Sequence, residues 1–454
     1  MRRCFCPFFC VQAPTKSDRH RTTMLTNVNY LRCGYFYLRK LKIAKLCYCV
    51  SIFLTVSMIS QVGGMGRETL LVIQYHYTEV FDDLIVVHQP SNPVLTVLPN
   101  GSLLAAFCFD NQICGKISND YGSSWSQIFV IKNSEIPYTA SLGSMVVSGG
   151  KVFLFYLRWI SYSFVTGEGN SSLWKLESSD NGQTWRDDVR IDGGNHDYIC
   201  TGTNALKTRN GTLIVPFSWT VGFDSSLAAG IYEVATLRSD DNGVSWTEGQ
   251  RISLPQSATG ADEPAVVELA NGSLYCLMRT YFLDGTPRHV SAVSNDYGLT
   301  WNPSSKVDEM HAYDSTPGVF RYSWSPDILL AAWINRTCGP GGGGGTWGRT
   351  PLVVAYSDNN GASWKNVTAF DDGSTSQNEP CFASSGWYVI LGYRRNTNTR
   401  DPDVDAVARR FRLSLFFDRE TFETDFGLRG GNLTDLNADG VVDILDAILV
   451  ATGL

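Results

Sequence analysis

Across residues 82–425, short apolar runs alternate with clusters of Gly, Asn, Asp and Ser, and no stretch keeps a helical period. Six runs share one layout, a turn followed by a strand. They are "NGSLLAAF" from Asn100, "GGKVFLFY" from Gly149, "NGTLIVPF" from Asn210, "NGSLYCLM" from Asn271, "SPDILLAAW" from Ser325 and "SGWYVILGY" from Ser385. Asn-Gly ahead of an apolar run reads as a hairpin turn, because a type I′ turn needs positive φ at both central residues. The residues before each turn are strand-like too, as in "NPVLTVL" and "PAVVEL". Each unit therefore opens with a hairpin of two strands, A and B.

A second mark follows each of the first five hairpins. "SNDYGSSW" starts at Ser118, "SSDNGQTW" at Ser178, "SDDNGVSW" at Ser239, "SNDYGLTW" at Ser294 and "SDNNGASW" at Ser357. The tryptophans fall at 125, 185, 246, 301 and 364, a near-constant period that signals repeated supersecondary units. A third strand, C, leads into each mark and a fourth, D, follows the Trp. Gly supplies positive φ for a tight turn, the Asp carboxylate accepts backbone N–H groups, and the Trp packs between sheets. Four antiparallel strands per repeat and six hairpins predict an all-β fold, a six-bladed β-propeller over residues 82–426. The sixth repeat lacks the Asp-Gly-Trp mark. Its outermost strand is expected from residues near Leu70 to Val87, which would close the ring.

Strand geometry then says where chemistry belongs. The start of A and the end of B share one end of a blade, and the Asp-Gly turn lies at the other. Blade 4 reads "EPAVVELANGSLYCLMR", with Glu263 opening A and Arg279 closing B. Blade 6 reads "EPCFASSGWYVILGYRR" and repeats that separation with Glu379 and Arg395. Asp262 beside Glu263 could share a proton with it, as close carboxylates do. "GNHDYIC" puts His196 and Asp197 at the start of strand A in blade 3, and "PGGGGGTWG" forms a long loop at the same end, before Arg349.

The five marks resemble the Asp-box, or BNR, repeats of the sialidase superfamily, whose fold is a six-bladed propeller. The resemblance implies a glycoside hydrolase that holds a substrate carboxylate with arginines and uses an Asp acid/base and a Tyr nucleophile activated by a Glu. On it, Glu263 is the activating base, Arg279 and Arg349 are carboxylate clamps, and Asp110 in "AFCFDNQ" is the acid. Two departures stand out. Ser91 occupies the place of the first Arg, and "DDGSTSQNEPCF" after the fifth repeat holds no Tyr. Tyr198, Tyr313 and Tyr393 are the alternatives. Two readings follow: a hydrolase of terminal sugars, acidic ones included, and a propeller that binds glycans without cleaving them or cleaves a different bond.

The flanking segments differ from the propeller. Residues 1–66 carry a basic head, "LRKLKIAK", and an apolar run from Leu46 to Ile59, the layout of a secretory signal or anchor. Export is expected, to the medium or the cell envelope. After Phe426, "DLNADGVVDILD" sets Asp435, Asn437, Asp439, the Val441 carbonyl, Asp443 and Asp446 at calcium-ligand spacing within a segment of residues 432–454. It resembles a dockerin loop, which implies bound calcium and a surface docking partner. The net charge of −7 argues against nucleic acid as a partner. Of twelve cysteines, Cys108 and Cys114 flank a hairpin turn, as a disulfide or as buried thiols.

Overall fold

The computed structural model describes residues 93–411, apart from short connections of which 337–348 is the longest, and the strands 54–56, 73–75 and 82–88. Among the described residues every regular element is a strand. Six antiparallel sheets follow one another in chain order, each built as A-B-C-D from the inside out. Blade 1 runs Val94–Val97, Leu103–Phe109, Gln112–Ser118, Phe129–Lys132. Blade 4 runs Ala258–Glu268, Leu274–Phe282, Arg288–Ser294, Ser305–His311. In blade 3 the inner strand is broken into Ile199–Thr201 and Leu206–Lys207, both paired with Leu213–Asp224.

The ring closes as expected. In blade 6, Ser376–Ser385, Tyr388–Asn396 and Val404–Phe411 are joined by Asp82–His88 as the outer strand. The first strand of the ring thus belongs to its last blade. A separate pair joins Leu54–Val56 to Ile73–Tyr75. The rest of the expected signal and the whole calcium loop, Asp435 to Asp446, lie outside the described residues.

Six hydrophobic clusters fill the six interfaces between neighbouring blades. Five of them receive the Trp of an Asp-box repeat, each wedged against the preceding blade: Trp125, Trp185, Trp246, Trp301 and Trp364. Trp246 meets Phe155 edge-on with ring centroids 5.5 Å apart. The blade 5–blade 6 interface has no such Trp. Phe370 and Phe411 fill it instead, edge to face at 5.0 Å.

The turn that carries each Trp is the same five times. In the first, Ser118 Oγ donates to Asp120 Oδ1 at 2.8 Å, and Asp120 then accepts the Ser124 N–H at 2.8 Å and its hydroxyl at 2.6 Å. Tyr121 and Gly122 take φ of 58° and 83°, the left-handed pair that makes Gly the favoured second residue. Asp180 and Asp241 are pushed down to about 2, chiefly by the hydroxyls of Thr184 and Ser245. Asn359 substitutes in the fifth copy: its Oδ1 accepts the Ser363 N–H and its Nδ2 donates to the Ser363 hydroxyl. An amide can do this work because one oxygen still accepts the backbone N–H and a hydroxyl can accept as readily as it donates.

Cys108 and Cys114 are both buried and do not form a disulfide. The two-residue turn pairs Cys108 with Ile113 and Phe107 with Cys114, so the two thiols face opposite sides of the sheet. Cys108 packs into the blade 1–blade 2 cluster and Cys114 into the blade 1–blade 6 cluster. The disulfide alternative is therefore excluded by register.

Candidate active site

A cavity of about 380 Å³ opens at the end of the propeller away from the Asp-box turns, and all six blades line it. Blade 1 gives Pro93, blade 2 Ser141 and Trp159, blade 3 Tyr198 and Thr201, and blades 4, 5 and 6 give Glu263, Thr316 and Glu379. At the other mouth of the channel a second cavity of about 340 Å³ is lined by the far ends of the inner strands.

The two glutamates reach the cavity by one local device. The inner strand of blade 4 slips register between Asp262 and Ala265, and that of blade 6 slips between Asn378 and Cys381. Each slip is a bulge made of Glu-Pro. Proline has no N–H to lose from the ladder, and the bulge re-aims the preceding side chain. Glu263 and Glu379 take φ of 46° and 55°, left-handed values that a Glu adopts at a cost of about 1 kcal/mol or more. Two equivalent strained positions, both carboxylic, make this end of the ring the candidate site.

The bulges press on the neighbouring blades. A Cβ on Gly202 would lie 1.4 Å from the Pro264 carbonyl oxygen, and one on Gly318 would lie 2.5 Å from that of Pro380. Gly202→Ala is therefore expected to cost about 3 kcal/mol or more and to displace Glu263. Gly222→Ala, where the nearest atom is an Ile231 side-chain carbon at 3.7 Å, is the tolerated control. Thermal denaturation of both variants checks this; equal Tm values would contradict the packing described.

Around Glu263 the partners are specific. Its Oε2 accepts from Arg279 Nη1 at 2.7 Å and from the Thr316 hydroxyl at 2.5 Å. Asp262 is buried behind it, accepting the Ser218 hydroxyl and the Glu263 N–H on Oδ1. Burial and then the charge of Glu263 push Asp262 up to about 6, against the pull of Arg279. Glu379 is pushed up to about 7 by burial first and the Glu263 charge second, opposed by Arg394, Arg349 and Arg279. Its Oε2 is closed off from water and meets no hydrogen-bond donor among the described residues. One carboxylate is thus held by an arginine while the other sits near neutrality without a donor on that oxygen.

Several expected residues stand elsewhere. Arg349 anchors strand A of blade 6, its Nη1 on Asn378 Oδ1 at 2.7 Å and its N–H on Ser376 Oγ. Arg395 is not the counterpart of Arg279. Asp262 stands opposite Arg279, and the equivalent Asn378 stands opposite Arg394, while Arg395 faces Gln377 and donates to Asp405 Oδ2 at 3.1 Å. The blade 6 hairpin is one residue shorter between these points, so equal sequence separation picked the wrong neighbour. Asp110 sits exposed in the two-residue turn after Phe109, with no loop to carry it over the cavity, and is not on its wall. His196 turns away from the cavity to Glu248 at 3.1 Å and stacks on Trp219 at 4.1 Å. Asp197 is exposed, its carbonyl bonded to the Ser171 N–H. Tyr393 is buried between blades 5 and 6, and Ser91 and Tyr313 lie outside the described residues. Of the two described alternatives, Tyr198 lines the cavity, with its hydroxyl on the Cys200 thiol, and Tyr393 does not.

Thr203, Thr316 and Arg394 were not foreseen. Isolated Thr residues carry no pattern in a β protein, whereas Arg394, the first Arg of "YRR", is one position from the expected Arg395.

The signature of the BNR repeat-like domain matches residues 110–380, more than half of the chain. A sialidase of Paraclostridium sordellii is 26% identical over 218 residues, 44% of this chain and 50% of that protein. The chain spans about half the length of the curated relatives it matches. Among solved structures, Trypanosoma rangeli sialidase in complex with the inhibitor DANA superposes with a TM-score of 0.57 at 19% identity, over 79% of this chain and 59% of that one. A protein of unknown function from Dyadobacter fermentans gives 0.57 at 15% identity, over 72% of this chain and 97% of that one. Together with five Asp-box turns in a closed six-bladed ring, these matches make the chain a member of the BNR repeat-like family, within the sialidase superfamily of propellers.

Proposed function

We propose that the protein is a glycoside hydrolase whose cup-shaped cavity uses Glu263 and Glu379 as its catalytic pair. The observation that carries this is the meeting of two glutamates on matching Glu-Pro bulges at one cavity wall, one of them near its midpoint of ionisation at neutral pH. Glycosidic cleavage needs one carboxylic acid to protonate the leaving oxygen and one carboxylate to act on the sugar or on a water. Glu379 suits the first role, since a proton donor works best with a pKa near the operating pH. Glu263 suits the second. Arg279 and Thr316 both bind its Oε2, which leaves Oε1 for the sugar or water. The sialidase relatives support sugar chemistry at this end of the ring, with Glu379 in the stretch where the family's Tyr is absent.

The test is turnover of a panel of aryl glycosides. Wild-type protein is expected to hydrolyse at least one member with a bell-shaped pH dependence of kcat/KM, and Glu263→Gln to lower kcat about a thousandfold. Glycan binding without turnover of any member would instead favour a binding propeller.

A further inference from the structure

The sialidase resemblance leads one to expect arginines facing a substrate carboxylate. The cavity wall holds none among the described residues. Arg279 is engaged by Glu263, Arg349 by Asn378, and Arg394 stands behind them opposite Asn378. The charged side chains on the wall are both acidic, Glu263 and Glu379, and hydroxyls of Ser141, Thr201, Thr203 and Thr316 accompany them among apolar neighbours. Thr203 Oγ1 is buried with no hydrogen-bond partner, as is Glu379 Oε2. The wall thus offers a ligand both carboxylate acceptors and hydroxyls that donate and accept. A hydroxyl both donates and accepts, so it can serve a carboxylate and a Thr alike. A carboxylate cannot donate, and it would be desolvated against Glu263. Trp159 on the same wall offers the apolar ring surface that sugar C–H faces pack against.

From this wall we infer that the cavity selects a neutral, hydroxyl-rich sugar and rejects sugars that carry a carboxylate. The inference takes over the glycan-site reading but not the hydrolytic step. Like-charge contact in a desolvated site disfavours the wrong partner by about a hundredfold or more. The arginines spend their charge inside the wall, Arg279 on Glu263 and Arg349 on Asn378, instead of presenting it to the ligand.

The test uses the full chain and p-nitrophenyl glycosides of neutral hexoses, deoxyhexoses and pentoses, beside the glucuronide and the sialoside. A neutral member is expected to exceed both anionic ones in kcat/KM by about a hundredfold or more. Preference for the sialoside or the glucuronide would overturn the inference while leaving the hydrolase reading intact. If nothing turns over, calorimetric binding of the same glycosides decides. Binding of a neutral member keeps the inference and sinks the hydrolase reading; binding of an anionic member, or of none, overturns the inference. Glu263→Gln/Glu379→Gln is expected to narrow the neutral-over-anionic ratio at least tenfold in binding, and an unchanged ratio would also contradict it.

Discussion

Glu379→Gln is expected to lower kcat by about a thousandfold, to leave ligand binding within a few-fold, and to make the protein more stable at alkaline pH. The three effects have one cause. The carboxyl sits on a cavity wall beside Glu263, and burial with that charge raises it from an ordinary 4.5 to about 7. Gln keeps the shape and the left-handed backbone but cannot give up a proton. The sign of the stability change follows from linkage. Below pH 4.5 the group is neutral whether the chain is folded or unfolded, and Glu and Gln are equivalent. As pH rises from 4.5 towards 7 the unfolded carboxyl ionises freely while the folded one holds its proton, so wild type loses stability across that window. Above 7 the deficit is complete. Because the side chain as a whole is only partly buried, a gain of roughly 1–2 kcal/mol for the variant is the reasonable scale, a few degrees in Tm at pH 8 and none at pH 4. Loss of stability at pH 8, or undiminished turnover, would sink the role given to Glu379. Such a trade of stability for function is common at sites that hold an unsatisfied acid.

Removing residues 1–90 is expected to be still more damaging to the fold, with a Tm lower by more than about 10 °C or no soluble protein. Removal of residues 1–78 serves as the control and is expected to change the Tm by only a few degrees. The difference between them is Asp82–His88. That strand pairs with Val404–Phe411 from Asp82 opposite Arg410 to His88 opposite Asp405. Without it, Val404–Phe411 becomes a bare edge whose outward N–H and C=O groups lose their partners, at about 1 kcal/mol for each bond. The ring also loses the one covalent tie that makes its last blade depend on its first strand. Equal Tm values for the two truncations would show that blade 6 stands without its outer strand.

Much of this architecture could be read from the sequence because it repeats. Five copies of a turn whose side chains satisfy one another, and six hairpins of which four turn on Asn-Gly or Gly-Gly, leave little freedom for anything but blades. The rule that chemistry lies where strand A begins found Glu263 and Glu379 for the same reason, since it depends on strand direction alone. What failed depended on register. Arg395 was chosen over Arg394 because the hairpin of blade 6 is one residue shorter than that of blade 4. Cys108 and Cys114 looked close across a turn, but pleating sends them to opposite faces. The family resemblance offered Asp110 as the acid, yet a two-residue turn keeps it off the cavity wall. Thr203 and Thr316 were invisible, since a lone hydroxyl becomes meaningful only when its neighbours are known.

The most direct measurement is a carbon-detected NMR titration of the glutamate carboxyls in protein labelled at that carbon, from pH 4 to pH 9, on wild type and Glu379→Gln. One glutamate resonance is predicted to titrate near pH 7 in wild type and to be missing from the variant. If every glutamate has finished titrating below pH 5.5, or if the late-titrating resonance survives in the variant, Glu379 is not the poised acid and the catalytic account falls.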